Sequence, residues 1–266
     1  MNLRAGKKAK ASAAYEAAFK YLQVGRELFG DRTWETHYEL TLSLYVEAAE
    51  AAYVCGEFEA MERYVQGVLQ QAKHLLDKVK IYEIKIQGCM AQNQPREAVK
   101  TALSVLKLLG INFPQKPTQL QIGLTLLKTK LLLAQKRIET LENLPPMRDA
   151  FHQAAMRILV SLFSAAYVSV PELLLPSICK MIDLSVKHGN AAESAFGYVC
   201  YGVILCGVVG DIEAGYTMGK LGVELADKNT AKEIQAKTLI NGAMFVNFWK
   251  PPLIDTLTDF KKSYQI

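Results

Sequence analysis

The side chains of this chain that could do chemistry are few, and their spacing fails the geometry each chemistry needs. Gly215, Gly219, Lys220 and Gly222 suggest a loop that cradles phosphate with backbone N–H groups, but that loop places four residues between its glycines and a hydroxyl residue after its lysine. Here three residues separate Gly215 from Gly219, and Leu221 follows Lys220. The same stretch has the pattern of an amphipathic helix, in which glycines let a neighbouring helix come close at a cost of about 1 kcal/mol each relative to alanine. Cys55, Cys89, Cys179, Cys200 and Cys206 form no C-x-x-C pair and lie in or beside apolar helical patterns, so buried thiols in a reducing compartment are expected. His37, His74, His152 and His188 are far apart and in no His-x-x-x-His or Glu-x-x-His arrangement, which argues against a zinc or di-iron site. The chain contains no Gly-x-Ser-x-Gly elbow, His-Arg-Asp loop or Asp-Phe-Gly sequence, so neither hydrolase nor kinase chemistry is expected of this segment. Glu35, Glu39, Glu47 and Glu50 read as a solvated acidic face. No catalytic residue, cofactor site or metal ligand is expected.

What must position the remaining surface is a set of helices with an internal repeat. Gly56-Glu57-Phe58-Glu59-Ala60 returns as Gly210-Asp211-Ile212-Glu213-Ala214, each time between two helical patterns, and a degenerate third copy is Gln94-Pro95-Arg96-Glu97-Ala98. Ala60 and Ala98 are 38 residues apart, and Ala98 and Ala214 are 116 apart, close to three such periods. Stacked helix pairs repeat every 34 to 47 residues or so and present a long surface to partners. The expectation is an all-α fold of stacked antiparallel helix hairpins, a tetratricopeptide-like (TPR-like) α-solenoid running as a single array over 1–266. The one irregular linker is near 111–117, where Asn112-Phe113-Pro114-Gln115-Lys116-Pro117 stands.

Leu44, Ala48 and Ala52 form one i, i+4 row, and Tyr45, Ala49 and Tyr53 the next, opposite a stripe that includes Met61, Val65 and Val68. Thr33 is a candidate N-cap, and the chain breaks at Gly30-Asp31 and at Pro145-Pro146. Capping-box patterns at Thr118/Gln121, Ser169/Glu172 and Thr230/Glu233, with the related Asn190/Glu193, should each open a helix. Trp34 and Trp249 fall at helix ends and read as packing anchors. With Gly56 at the turn of its hairpin, Ser43, Glu50 and Tyr53 fall on the first-helix side that lines the inner face of such stacks, and these three are the candidates for partner contact.

Composition narrows the partners. Half of the 266 residues are hydrophobic, enough for a substantial core. Arg4, Lys7, Lys8 and Lys10 account for four of the net +5, so a nucleic-acid face is not expected, and this basic terminal run reads as a solvated end. The longest apolar run, Phe196–Gly210, falls short of the ~20 residues a membrane span needs and reads as a buried helix. No secretory core follows the first residues, so a cytoplasmic location is expected. Near the end, Leu253, Ile254, Leu257 and Phe260 form the stripe of an interior helix opened by Pro251-Pro252. That pattern suggests an array that continues past Ile266, with self-association through the exposed C-terminal helix.

The runs Asn2-Leu3-Arg4-Ala5-Gly6 through Ala14-Tyr15-Glu16-Ala17, Ala49-Glu50-Ala51-Ala52-Tyr53, Leu108-Leu109-Gly110, Leu184-Ser185-Val186-Lys187-His188-Gly189 and Gly210-Asp211-Ile212-Glu213-Ala214-Gly215-Tyr216 resemble the tetratricopeptide-like region of very large bacterial signalling kinases. In that family a serine/threonine-kinase-like domain and an AAA-type ATPase module precede the helical region, and GAF and histidine-kinase domains follow it. The resemblance implies a fragment of a two-component signal-transduction kinase: a non-catalytic interaction and sensor-coupling module whose partners are the other domains of the parent or separate proteins. Kinase activity would reside elsewhere in the parent. The alternative is the similar repeat region of an ATPase-containing transcription regulator, which binds an inducer or a protein partner.

Overall fold

A computed structural model describes residues 1–28, 33–114, 116–134, 136–228, 231–246, 249–250 and 256–265. Among them the fold is all-α, with no strand and only one isolated bridge, between Pro146 and Asn190. The chain divides into two compact units, Met1–Gly110 and Ile111–Ile266, and the division falls at the start of the expected irregular linker.

The first unit holds α1 (Asn2–Ala11), α2 (Tyr15–Glu27), the short α3 (Thr33–Thr36), α4 (Tyr38–Val54), α5 (Phe58–Gln71), α6 (Leu75–Ala91) and α7 (Pro95–Leu108). Packing runs from α1 to α2, α2 to α4, α4 to α5, α5 to α6 and α6 to α7, while α4 also touches both α1 and α6. The core of α4 is built from Leu44, Ala48, Ala49, Ala51 and Ala52, all essentially inaccessible. Four of these are alanines, so the backbones of adjoining helices can come close, and Met61, Tyr64, Val65 and Val68 of α5 fill the space. The basic terminal run keeps Arg4, Lys7 and Lys8 exposed, with Lys10 partly buried, but it is not irregular. It is the helix α1, and Gly6 on it lies where a Cβ would stand 2.6 Å from Leu22 of α2.

The buried faces of α5 and α7 keep the 38-residue register, with Ala60, Met61, Tyr64 and Val68 answered by Ala98, Val99, Ala102 and Leu106. The turns do not. Gly56, at φ +77°, takes the left-handed position after α4, but in the third copy that position belongs to Asn93 at φ +57° rather than to Gln94. The cause is Pro95 at the first helical position. A residue before proline is held away from helical conformations, so Gln94 lies outside the helical region (φ −116°, ψ 56°) and the left-handed turn moves back to Asn93, a type that tolerates it.

The second unit holds α8 (Gln119–Ala134), a 3₁₀ segment (Ile138–Asn143), α9 (Ala150–Ser169), a 3₁₀ turn (Pro171–Leu173), α10 (Leu174–His188), α11 (Ser194–Ile204), α12 (Ile212–Asp227), α13 (Lys232–Phe245) and α14 (Thr256–Gln265). Thr118 and Gln121 form the expected reciprocal cap: the Thr118 N–H donates to Gln121 Oε1 at 2.9 Å, and the Gln121 N–H to Thr118 Oγ1 at 3.3 Å. Three other caps differ from expectation. Ser169 is the last residue of α9 and donates back to the Ala165 carbonyl, because Pro171 forces the break one residue later. Thr33 lies inside α3, and α4 begins after His37 with no side-chain cap. Asn190 caps nothing. Its N–H donates to the Pro145 carbonyl, its carbonyl accepts from the Met147 N–H, its Nδ2 donates to the Leu141 carbonyl, and its Oδ1 accepts from Tyr198. This clip fixes the loop after Pro145 to the turn between α10 and α11. Thr230, the Gly30-Asp31 break and the Pro251 to Ile254 stretch lie outside the described residues.

α11 is the expected buried helix. Tyr198 and Tyr201 are nearly inaccessible, and a π turn at Leu205–Val209 carries it to Gly210 at φ +80°. Its closest neighbour is α12, and the glycine-rich stretch is where they meet. A Cβ on Gly202 would stand 2.6 Å from the Gly215 carbonyl oxygen and 2.9 Å from the Gly219 nitrogen, and one on Gly222 would stand 2.6 Å from the Ala195 carbonyl oxygen. These obstacles are backbone atoms, so no side-chain rotation relieves them. Gly202→Ala is therefore expected to destabilise the chain by about 1 to 3 kcal/mol. Gly123→Ala, in the exposed middle of α8 with nothing within 4 Å, should stabilise it by about 0.5 to 1 kcal/mol. Urea midpoints check the pair, and an equal effect of both would refute the close α11–α12 approach.

Candidate interaction surface

Ser43, Glu47 and Glu50 sit at i, i+4 and i+7 on one face of α4, and Tyr53 continues that face one turn on. Across from them, α1 carries Lys7 and Lys10, three apart like Glu47 and Glu50. Lys10 Nζ donates to Glu47 Oε2 at 2.5 Å and to Glu50 Oε2 at 2.8 Å, while Lys7 Nζ donates to Ser43 Oγ at 3.1 Å and lies 3.5 Å from Glu47 Oε1. From the other side α6 brings Lys80, 3.5 Å from Glu50 and 3.9 Å from Glu83. The result is a ladder of alternating charge over three helices, with the Glu47 side chain only 17% exposed and that of Lys10 25%.

Partial burial decides what this ladder is worth. Exposed pairs contribute little, but charge-assisted hydrogen bonds shielded from water contribute about 1.5 to 3 kcal/mol. Burial works to lower the Lys10 pKa, yet its hydrogen bonds to Glu47 and Glu50 outweigh that and hold it above the ordinary lysine value. Burial likewise works to raise the Glu50 pKa, and the Lys10 hydrogen bond together with the Lys80 charge brings it below the ordinary carboxylate range. Two of the three expected contact residues, Ser43 and Glu50, are thus engaged by α1 and α6. The third, Tyr53, is half-buried against the core of the unit. Glu47 and Glu50, expected on a solvated acidic face, are largely covered, and Lys7, Lys10, Lys80 and Glu83 are not among the expected contact residues. The matching three-residue spacing of Lys7/Lys10 and Glu47/Glu50 is the signal that could have found them.

An open groove of about 830 Å³ lies elsewhere on this unit, with Tyr45, Tyr64 and Gly67 as lining and Arg26, Arg63 and Glu27 among its polar groups. Tyr45 packs edge-on to Tyr64 with ring centroids 5.7 Å apart, and also against Trp34 at 5.0 Å, so Trp34 is the packing anchor expected. The groove mixes both signs of charge and selects no one class of ligand.

In the second unit the histidines that are far apart in sequence meet: the rings of His152 and His188 stack with centroids 3.8 Å apart. Asp149 N-caps α9 through the His152 N–H at 2.8 Å, and its carboxylate is 3.3 Å from His152 Nδ1. Burial, and then the neighbouring His152, push the His188 pKa below the ordinary value; Lys180 and Lys187 act the same way and Asp183 opposes them. Among the described residues no group of three or more His, Cys, Asp or Glu could hold a metal ion. Cys179, Cys200 and Cys206 are buried and Cys55 and Cys89 half-buried, all as free thiols, and burial pushes the Cys179 pKa up to about 11. Among the described residues no helix is long and apolar enough to cross a membrane.

Comparison with known proteins finds a distant similarity between this all-helical chain and part of a signalling kinase. It is similar to Hybrid signal transduction histidine kinase G of Dictyostelium discoideum, with 20% identity over 259 residues that cover 86% of this chain and 7% of that protein. The chain thus spans only a small fraction of its relative's length. No protein-family model matches the chain, and no solved structure matches it.

Lys10→Met is expected to lower stability by about 1 to 3 kcal/mol through the loss of two shielded charged hydrogen bonds. Because the Glu50 pKa is depressed, its share is present above about pH 4.5 and lost as pH falls through the folded-state value. Because the Lys10 pKa is raised, its share is present below about pH 10.5 and lost as pH rises through the folded-state value. The difference in unfolding free energy between wild type and Lys10→Met should be flat from about pH 5 to 10 and shrink toward pH 3; a difference that grows in acid would contradict the ladder. For the histidine pair, an NMR titration should find His188 below about 6.5 and raised by His152→Asn. Stability from this group is present above that ordinary value and is lost as pH falls through the depressed one.

Proposed function

We propose that this chain is a non-catalytic interaction and sensor-coupling segment of a multidomain signal-transduction kinase. The observation that carries the reading is the order of contacts in the first unit. Each helix packs on the next, and the leading helices α1, α4 and α6 of successive hairpins touch one another, as in a TPR-like stack. In such a stack the leading helices line the inner face, and the charge ladder lies along them. Ser43, Glu50 and Tyr53 are the contact residues on this reading, and a partner with its own cations takes the places held by Lys7 and Lys10. The similarity to a hybrid histidine kinase supports the signalling context, and the low coverage of that relative supports a segment set among other domains of a parent protein. Kinase activity belongs to those other domains. Leu257 and Phe260, exposed on α14, offer a surface for self-association.

Two measurements test the proposal. Calorimetric titration of the chain with Mg-ATP is expected to show no binding, since Gly215, Gly219 and Gly222 are spent on the approach of helices; a stoichiometric low-micromolar isotherm would sink the non-catalytic reading. In the full-length parent, Ser43→Ala removes only the exposed hydrogen bond from Lys7 and is expected to change autophosphorylation at least twofold at a nearly unchanged melting temperature. An unchanged rate would sink the coupling role.

A further inference from the structure

α8 has two apolar faces, and the unit to which it belongs uses only one. Thr129 is buried, and Ile122, Thr125, Leu126, Leu132 and Leu133 on the same side are partly buried, with α8 packed on α10. On the opposite side Leu120, Leu124, Leu127 and Leu131 are exposed by 73%, 48%, 53% and 59%. Their spacing of four, three and four residues is that of the a and d positions of a heptad, so the four side chains form one continuous seam for a second helix. Lys128 and Lys130 fall at the flanking e and g positions, one on each side of the seam, and both are exposed. The adjoining sequence adds no negative charge: from Ile111 to Ile138 the chain has Lys116, Lys128, Lys130, Lys136 and Arg137 and no acidic residue.

We propose that the outer face of α8 is a docking site for an acidic amphipathic helix that presents leucine-like side chains at a and d and carboxylates at e and g. Charge selects this occupant. A second copy of α8 would set lysine against lysine in either orientation, because parallel helices pair g with e and antiparallel helices pair g with g and e with e. Carboxylates at those positions turn both flanks into attractive pairs, and the same lysines reject a basic helix. The site lies wholly in the second unit and does not depend on the reading of the ladder in the first.

The test uses the 266-residue chain and two fluorescent 21-residue helical peptides, both with leucine at a and d, one with glutamate at e and g and the other with lysine. Anisotropy is expected to show saturable binding of the glutamate peptide, weakened by salt, with the lysine peptide at least tenfold weaker. Leu124→Ser with Leu127→Ser should lower affinity at least tenfold. Lys128→Glu with Lys130→Glu, both at exposed positions, should invert the preference, a result that misfolding cannot mimic. Equal affinity for the two peptides, or no binding of either, overturns the proposal. So does concentration-dependent dimerisation of the chain that the leucine substitutions abolish, which would make a second copy the occupant. Sedimentation with phosphatidylserine-containing vesicles, lost on charge reversal and without peptide binding, would overturn it in favour of a membrane surface.

Discussion

Close approach of helix backbones is the constraint on which both units rest. In the first, α4 turns four buried alanines toward its neighbours. In the second, α11 and α12 meet over glycines whose missing Cβ atoms would otherwise overlap main-chain atoms. At such distances apolar contacts are dense and the chain has no soft side chains with which to absorb a change, so packing there depends on residue size at single positions. The polar ladder of α1, α4 and α6 is a consequence. Only because α4 is held close to both flanking helices can side chains as short as Ser43 be reached from Lys7.

That ladder also reorganises the meaning of the chain's charge. Read as composition, the basic residues near the start are an excess with no assigned role. In the fold, Lys7 and Lys10 pair with the acidic stripe of α4, Lys10 partly buried and Lys7 exposed. The surface left to a partner is therefore less charged than either helix alone. On the proposed coupling role, a partner that engaged Glu50 would have to displace an existing contact rather than meet a free carboxylate, and would be selected by exchange between competing cations.

The helices were legible because their apolar positions recur at the right period and because glycine and proline mark their ends. Gly56, Gly110 and Gly210 all stand at turns with positive φ. The caps at Ser169 and Asn190 were misread because a cap pattern is local, whereas their partners are set by Pro171 in one case and by residues up to 49 positions away in the other. The same limit hid the His152–His188 stack and the Lys10 pairs. Side chains from separate helices meet according to helix crossing and rotation, which a one-dimensional spacing does not encode. Ser43 and Glu50 share one face of α4, as helical period alone requires. What faces them is set by the packing of α1 and α6, which the sequence spacing does not encode.

The Asn190 clip has a bearing on how the second unit opens. Four hydrogen bonds converge on this one residue from Leu141, Pro145, Met147 and Tyr198, and they tie the segment before α9 to the start of α11 across the whole of the α9–α10 hairpin. The entropy of closing a loop rises only slowly with its length, so a single multidentate clip can hold such a span once the hairpin has formed. It also removes the option of local fraying there. The amides of Met147 and Asn190 can exchange with solvent only when both sides of the clip separate, and this makes the 3₁₀ segment, α9, α10 and the start of α11 one cooperative opening unit rather than four.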